Sequence, residues 1–171
     1  MEIVGLQIQH EEALAEFVSE FAAAGEERIP AFLPDSEWTF AEIVAGFDKQ
    51  SRGEGLHSGW VPGTTRFLIH EGRILGLLNL RHQLTAQLLR FGGHVGYSVR
   101  PSVRRKGYGT LLLTNAMELA REKDIDRLLV TCEPANIASI GVIEKCGGKF
   151  EDKYYHESLD HEVLRYWIPL I

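Results

Sequence analysis

Cysteine is scarce in this sequence. Only Cys132 and Cys146 occur among 171 residues, and neither belongs to a Cys-x-x-Cys pair. Two thiols do not make a disulfide framework, and a chain of this length buries enough surface to fold without one. We therefore expect a protein of the reducing cytoplasm.

Long apolar runs are also missing. No stretch approaches the ~18–20 apolar residues that a helix needs to cross a membrane. The first residues, "MEIVGLQIQHEEALAEF", carry acids where a secretory signal needs cations. We expect no membrane partner.

Positive charge is in deficit, with 18 Lys and Arg against 24 Asp and Glu and a formal net charge of -6. Broad nucleic-acid binding needs a basic face, so we expect no nucleic-acid partner. The seven histidines do not form a ligand set either. His156 and His161 flank a turn with no matching cysteine or carboxylate pair at ligand spacing, and we expect no metal.

The hydrophobic pattern predicts a single domain over residues 1–171 with the element order β α α β β β α β α β β. Such a strand-rich chain with interspersed helices is α/β or α+β. The predicted strands are Ile3–Gln9, a hairpin of 65–70 and 73–81 turning at Glu71-Gly72, 93–99, 126–132, and two strands in 149–170 around an Asp160 turn. The predicted helices are 10–26, a second that is capped by Asp35-Ser36 and runs through Phe47, Thr110–Lys123 and 136–148.

One short segment is basic in this otherwise acidic chain. "VRPSVRRKGYGTLLL", residues 99–113, places Arg100, Arg104, Arg105 and Lys106 beside Gly107 and Gly109. A strand is predicted before it and a helix after it. Free N–H groups and the dipole at a helix start attract anions, and glycine lets the backbone approach a ligand closely. The segment therefore predicts a site for a pyrophosphate-sized anion.

Other interpretations of the segment remain open. The glycines could simply turn the chain while the cations stay solvated, or the turn could be a generic phosphate site of a nucleotide-binding protein. Two common phosphate motifs do not fit. In the P-loop the lysine follows the glycine, whereas Lys106 precedes Gly107, and the dinucleotide fingerprint needs a third glycine where Leu112 stands.

Two stretches resemble the GNAT acetyltransferases. "RRKGYG" is similar to the family's acyl-CoA motif, with Arg104, Gly107 and Gly109 in the defining places, and "NIASIGVIEKCGG" is similar to its second signature. The resemblance is strong over about Gly92 to Phe150. It implies the acyl-CoA N-acyltransferase fold, in which a mixed, mostly antiparallel central sheet carries helices on both faces.

The resemblance also implies where acetyl-CoA, the expected co-substrate, would lie. The strand ending at Val99 would splay from the next parallel strand, and the pantetheine arm would fill the gap like an added strand. Backbone groups of Tyr97 and Val99 would hold the thioester and the arm, and the N–H groups of Arg104 to Thr110 would hold the pyrophosphate. The implied cofactor-binding residues are Tyr97, Ser98, Val99, Arg104, Arg105, Lys106, Gly107, Tyr108, Gly109, Thr110, Asn136 and Ser139.

The catalytic groups are less evident. The carboxylate that some members carry four residues before the Tyr97 position is replaced by Gly93, and the usual acid, a tyrosine, is replaced by Ile143. Candidate bases are His94, which titrates in the right range but could simply be packed, and Glu133, which could be a solvated loop residue. Tyr154 or Tyr155 could serve as the acid, although strand packing explains both.

The resemblance favours an N-acetyltransferase that moves acetyl from acetyl-CoA to a primary amine of a small molecule or a protein. The alternative is a non-catalytic acyl-CoA sensor on the same fold. The apolar ending "YWIPL" offers a surface for a possible homodimer. The acceptor itself is not readable from the sequence.

Overall fold

A computed structural model describes residues 1–26, 38–156 and 160–170 of the chain. Seven strands form one sheet in the order β1-β2-β3-β4-β5-β7-β6. The strands are β1 Glu2–Val4, β2 Gly63–His70, β3 Arg73–Arg81, β4 Val95–Val99, β5 Arg127–Cys132, β6 Lys149–His156 and β7 His161–Pro169.

The strand directions confirm the expected mixed, mostly antiparallel sheet. Every neighbouring pair is antiparallel except β4 and β5, which run parallel. The β4–β5 register within the described residues consists of one pair, Val95 with Val130. Beyond that pair the edge of β4 faces a gap rather than a strand, so the predicted splay is present.

Helices cover both faces of the sheet, also as expected. The helices are α1 Glu11–Ala23, α2 Phe40–Arg52, α3 Ala86–Arg90, α4 Tyr108–Arg121 and α5 Ile137–Lys145. Alternation along β2 explains the two layers, because Phe67 and Ile69 join the apolar cluster of α1 and α2 while Leu68 joins that of α4. Burying each such side chain contributes about 1.5–3 kcal/mol.

The boundaries of several elements differ from the predictions. The first strand ends at Val4 because its pairing with β2 stops at Phe67. Helix α4 begins at Tyr108, two residues early, because Gly107 already takes the cap position. Helix α2 begins at Phe40 with Thr39 as its cap, in a capping box with Glu42. The predicted cap Asp35-Ser36 lies outside the described residues.

The two predicted hairpins are present. The β2–β3 turn uses Glu71 and Gly72 with φ of 49° and 74°, the left-handed values that a tight hairpin turn needs. β6 pairs with β7 in the second hairpin. In the ending "YWIPL", Tyr166, Ile168 and Leu170 are buried in the chain's own core. This segment therefore gives no support to the predicted homodimer, which stays a prediction.

In the described part of the chain, no helix combines the length and the apolar character that crossing a membrane requires.

Candidate functional site

A cleft of about 950 Å³ opens where β4 and β5 diverge. Its walls are β4, the turn after it, the start of α4 and one side of α5, and the end of α1 closes one side. Among the predicted cofactor residues only Lys106 is not in the lining. The lining residues are Phe21, Glu26, Tyr97, Ser98, Val99, Arg104, Arg105, Gly107, Tyr108, Gly109, Thr110, Asn136, Ile137, Ala138, Ser139, Gly141, Val142 and Lys145.

The start of α4 has the geometry of an anion site. Gly107 is the N-cap residue with φ of 86°, and no side chain among the described residues caps the helix. The first-turn N–H groups therefore point into the cleft without an intrahelical partner. Within the part of the chain that the structure describes, a Cβ on Gly107 would meet nothing within 4 Å, so no described side chain fills the space beside the cap residue. The donor set fits a pyrophosphate.

Arg100 does not contribute to this site. Its side chain is buried, and its Nε donates to Glu20 of α1 at 2.5 Å. The other Glu20 oxygen accepts from the Ser102 N–H at 2.7 Å. Burial alone raises the pKa of the Glu20 carboxyl, but the hydrogen bonds from Ser102 and Arg100 outweigh it and lower the pKa to about 2. Glu20 therefore ties the basic segment to α1.

Arg104, the arginine of the predicted motif, is also engaged by an acid. Its two terminal nitrogens donate to the two Glu26 oxygens at 2.6 and 2.8 Å, and its Nε donates to the Val99 carbonyl at 3.1 Å. The hydrogen bond from Arg104 lowers the pKa of Glu26. Glu26 was missed in the sequence, where 78 residues separate the pair and no local signal links them.

Tyr97 joins the two walls of the cleft. From β4 its Oη lies 2.8 Å from the Ser139 Oγ on α5. Burial raises the pKa of the Tyr97 phenol to about 12, so the phenol is neutral at pH 7. Asn136 caps α5, its side-chain oxygen accepting from the Ser139 N–H at 3.0 Å. Asn136 and Ser139 thus both line the cleft, and their contact with the arm stays a prediction.

None of the three predicted catalytic side chains lines the cleft. Glu133 is exposed after β5, 3.8 Å from the His161 Nε2. Tyr154 lies against α3, where its Oη accepts from Arg90 at 3.4 Å and its ring stands 6.0 Å from that of Phe91. Ile143, at the usual tyrosine position, is fully buried in the core.

His94 has the contacts of a packed residue. Its side chain is buried, its Nδ1 accepts from the Leu129 N–H at 2.9 Å, and its ring packs near Trp167. Burial, aided by the Arg81 charge, lowers the pKa of His94 to about 4. These contacts favour a structural role over that of a base.

Stability is expected to fall as the pH drops from about 6.5 to about 4, because the unfolded chain then binds a proton on this imidazole while the folded chain does not. His82, whose pKa burial also lowers to about 4, adds to the effect. Denaturant unfolding at pH 7 and pH 5 measures the loss, which His94→Gln should reduce. A His70→Gln variant, altered at a more exposed ring, is the control. An undiminished loss in His94→Gln would contradict the assignment.

Both cysteines are free, and the buried Cys132 has its pKa raised by burial to about 11. A neutral buried thiol is a poor nucleophile. Within residues 1–26, 38–156 and 160–170, no group of three His, Cys, Asp or Glu side chains is placed to hold a metal ion.

Comparisons with known proteins agree with this geometry. The sequence profile of the acetyltransferase (GNAT) family matches residues 26–148. The uncharacterized N-acetyltransferase YnaD of Bacillus subtilis strain 168 is 29% identical over 90 residues, which cover 42% of this chain and 53% of YnaD. The chain thus spans about half the length of this relative.

Solved structures share the fold over nearly the whole chain. The structure of yncA from Salmonella typhimurium, with its cofactor acetyl-CoA, superposes with a TM-score of 0.64 at 16% identity, covering 99% of this chain and 94% of the other. A Salmonella typhimurium acetyl transferase that modifies the N-terminal serine of a 50S ribosomal subunit protein gives 0.70 at 18% identity, covering 98% and 93%. At these identities the likeness concerns the fold alone.

Proposed function

The chain belongs to the acetyltransferase (GNAT) family, and from this premise we propose that it transfers the acetyl group of acetyl-CoA to a primary amine of a small molecule or a protein. The observation that carries the proposal is the uncapped start of α4 at the mouth of the gap between β4 and β5. A strand edge and a helix start in one cleft match a ligand with an extended amide arm and a pyrophosphate.

Acetyl-CoA would be held by the predicted residues that line the cleft. The N–H groups after Gly107 would bind the pyrophosphate, and the free edge of β4 would bind the arm opposite Asn136. When bound, acetyl-CoA supplies a thioester carbonyl that an amine can attack. The chain's own part is to fix that carbonyl with backbone N–H groups near Tyr97, which stabilises the charge that develops there.

Glu133 is the better of the two predicted bases. It follows β5, remains exposed, and could take a proton from the amine through water. His94 uses its Nδ1 on Leu129 and is buried. Removal of the Glu133 carboxylate in a Glu133→Gln variant should lower turnover at neutral pH, and full turnover in that variant would assign deprotonation to water alone.

The domain organisation, the cellular location and the choice of acceptors to test are further parts of the proposal. We propose that residues 1–171 form one acetyltransferase domain, since strands from both ends of the chain share one sheet. The two free thiols support a cytoplasmic location. The Salmonella typhimurium acetyl transferase named above modifies the N-terminal serine of a ribosomal protein, so protein N-termini belong in any panel of acceptors, beside small amines.

The test is turnover with acetyl-CoA and a panel of small amines, amino acids and N-terminal peptides, measured as release of free thiol. Thermal shift with CoA, ATP and NAD runs beside it, because a ligand of the folded state raises stability by mass action. Stabilisation by CoA with no turnover would favour the sensor. Stabilisation by ATP or NAD but not CoA would overturn the assignment.

Glu26 is expected to weaken CoA binding. Its carboxylate holds Arg104 within the cleft and adds a like charge beside the pyrophosphate. Glu26→Gln should therefore tighten CoA binding about threefold to tenfold, since half-exposed charge interactions are worth about 1 kcal/mol. Calorimetric titration measures the change, with the exposed Glu12→Gln on α1 as control. Weaker binding in Glu26→Gln would mean that Glu26 orients Arg104 for the ligand.

A further inference from the structure

Five hydroxyl-bearing side chains lie in the lining of the cleft, those of Tyr97, Ser98, Tyr108, Thr110 and Ser139. They differ in where they stand. Tyr108 and Thr110 belong to the start of α4, at the anion end, and Ser98 is buried. Tyr97 and Ser139 are the pair that crosses the gap between the two walls.

The crossing contact lies close to the point where β4 and β5 separate. β4 and β5 separate after the Val95–Val130 pair, and Tyr97 follows Val95 by two residues on the same face of β4. A Cβ on Gly109 would stand 3.5 Å from the Tyr97 ring, so the ring packs between β4 and the first turn of α4. The Oη then reaches Ser139 at 2.8 Å. An arm that enters from α4 and runs toward the point of separation passes over this hydroxyl pair.

Three of the other four phenols lie outside the cleft lining, and the fourth, Tyr108, stands at the anion end of the cleft. Tyr154 is held by Arg90 and Phe91, Tyr155 donates to Asp160, and Tyr166 is buried in the core. The Tyr97 phenol therefore has a position in the cleft that these three do not share.

We propose that the Tyr97 hydroxyl donates a hydrogen bond to the sulfur of CoA and stabilises it as the thiolate leaves, with Ser139 positioning that hydroxyl. This inference rests on the proposed function. In the transfer step the amine nitrogen bonds to the acetyl carbon, the C–S bond breaks, and its electron pair stays on sulfur. The amine gives one proton to water, directly or through a base, and the thiolate takes one from water, so the step is balanced without a change in the protonation of Tyr97.

The neutral form of the phenol is the one that can donate. Burial keeps it protonated over the range in which an acetyltransferase works, because its pKa is raised to about 12. Hydrogen bonds to a charged group contribute about 1.5–3 kcal/mol, which corresponds to roughly tenfold to a hundredfold in an equilibrium or a rate.

The first measurement does not depend on turnover. The thiol pKa of bound CoA is read from the ultraviolet absorbance of the thiolate as the pH is raised. Tyr97→Phe should raise that pKa by about one unit, a tenfold change in the thiolate equilibrium, while the Kd of CoA stays within about threefold. Ser139→Ala should change the pKa less, because Tyr97 keeps its donor. Tyr155→Phe, which loses an exposed hydroxyl outside the cleft, is the control and should change nothing.

The second measurement is turnover with an amine found in the panel. Tyr97→Phe should lower kcat about tenfold to a hundredfold with little change in the KM for acetyl-CoA. An unchanged thiol pKa in Tyr97→Phe overturns the inference, as does a larger effect of Ser139→Ala, which would make Ser139 the donor. If CoA bound to the wild-type protein has a thiol pKa below that of free CoA, but no amine gives turnover, the proposed function is contradicted. The hydrogen bond from Tyr97 to the sulfur would still be supported by the loss of that shift in Tyr97→Phe.

Discussion

Replacing Gly107 by glutamate is expected to abolish CoA binding, with a loss in affinity of more than about a hundredfold. A side chain at φ of 86° costs about 1–2 kcal/mol, and a carboxylate in front of uncapped N–H groups would occupy the anion site and repel a pyrophosphate. Because a Cβ there meets nothing within 4 Å, the loss would come from charge and backbone conformation rather than from a steric clash.

Gly72 provides the matched control for this substitution. It has φ of 74°, its Cβ would also meet nothing within 4 Å, and it lies in the β2–β3 turn outside the cleft. Gly72→Glu should show the same conformational cost and normal CoA binding in a calorimetric titration. Gly107→Asn, which tolerates a left-handed backbone and adds no charge, should retain part of the affinity. A folded Gly107→Glu protein that binds CoA normally would move the phosphate site away from α4.

The cofactor half of the site could be predicted because its signals are local. Gly107 caps α4 and Gly109 lies in its first turn, and Asn136 caps the next helix, so neighbours in sequence are neighbours in the cleft. Apart from the short helix α3, which the predicted order lacks, the element order was predictable for the same reason. Hydrophobic periodicity and turn residues such as Glu71-Gly72 act within a few positions.

The uses of the individual side chains could not be predicted in this way. Four cations stand together in one segment, yet Arg100 is bound by Glu20 and Arg104 by Glu26. Glu20 lies on α1, 80 residues before Arg100, and Glu26 lies just after α1, 78 residues before Arg104. Helical periodicity places Glu20 on the polar face of α1 but says nothing about which strand end that face meets.

The placement of the candidate catalytic hydroxyls also depends on long-range packing. Tyr154 is a reasonable acid by residue type, but its hydroxyl accepts from Arg90 of α3 and its ring lies near that of Phe91, outside the cleft lining. Ile143 belongs to the core, where it packs against the backbone at Gly148. A hydroxyl from β4, Tyr97, instead reaches α5 one helical turn before Ile143. Residue spacing within α5 cannot predict a hydroxyl that comes from β4.

Gly93 stands where some GNAT acetyltransferases carry a catalytic carboxylate, and the structure gives a reason for the glycine. Its φ is 57°, and a Cβ there would overlap the carbonyl of Leu129. That carbonyl accepts from the His94 N–H at 2.8 Å, at the point where β4 and β5 meet. A side chain at position 93 would therefore push the two strands apart at the base of the cleft.

Introducing a carboxylate there by Gly93→Glu is accordingly expected to destabilise the protein rather than to raise its activity. Conformational strain and the overlap with strand backbone together should cost about 3 kcal/mol or more, which lowers the Tm of a chain of this length by about 6 °C or more. Gly55→Glu is the control, since Gly55 has φ of 64° and open space around its Cβ, and it should show the strain alone. Calorimetric melting of both variants separates the two costs. A Gly93→Glu protein as stable as Gly55→Glu, and faster than wild type, would show that the β4–β5 junction can yield and that this chain lacks only the family's base.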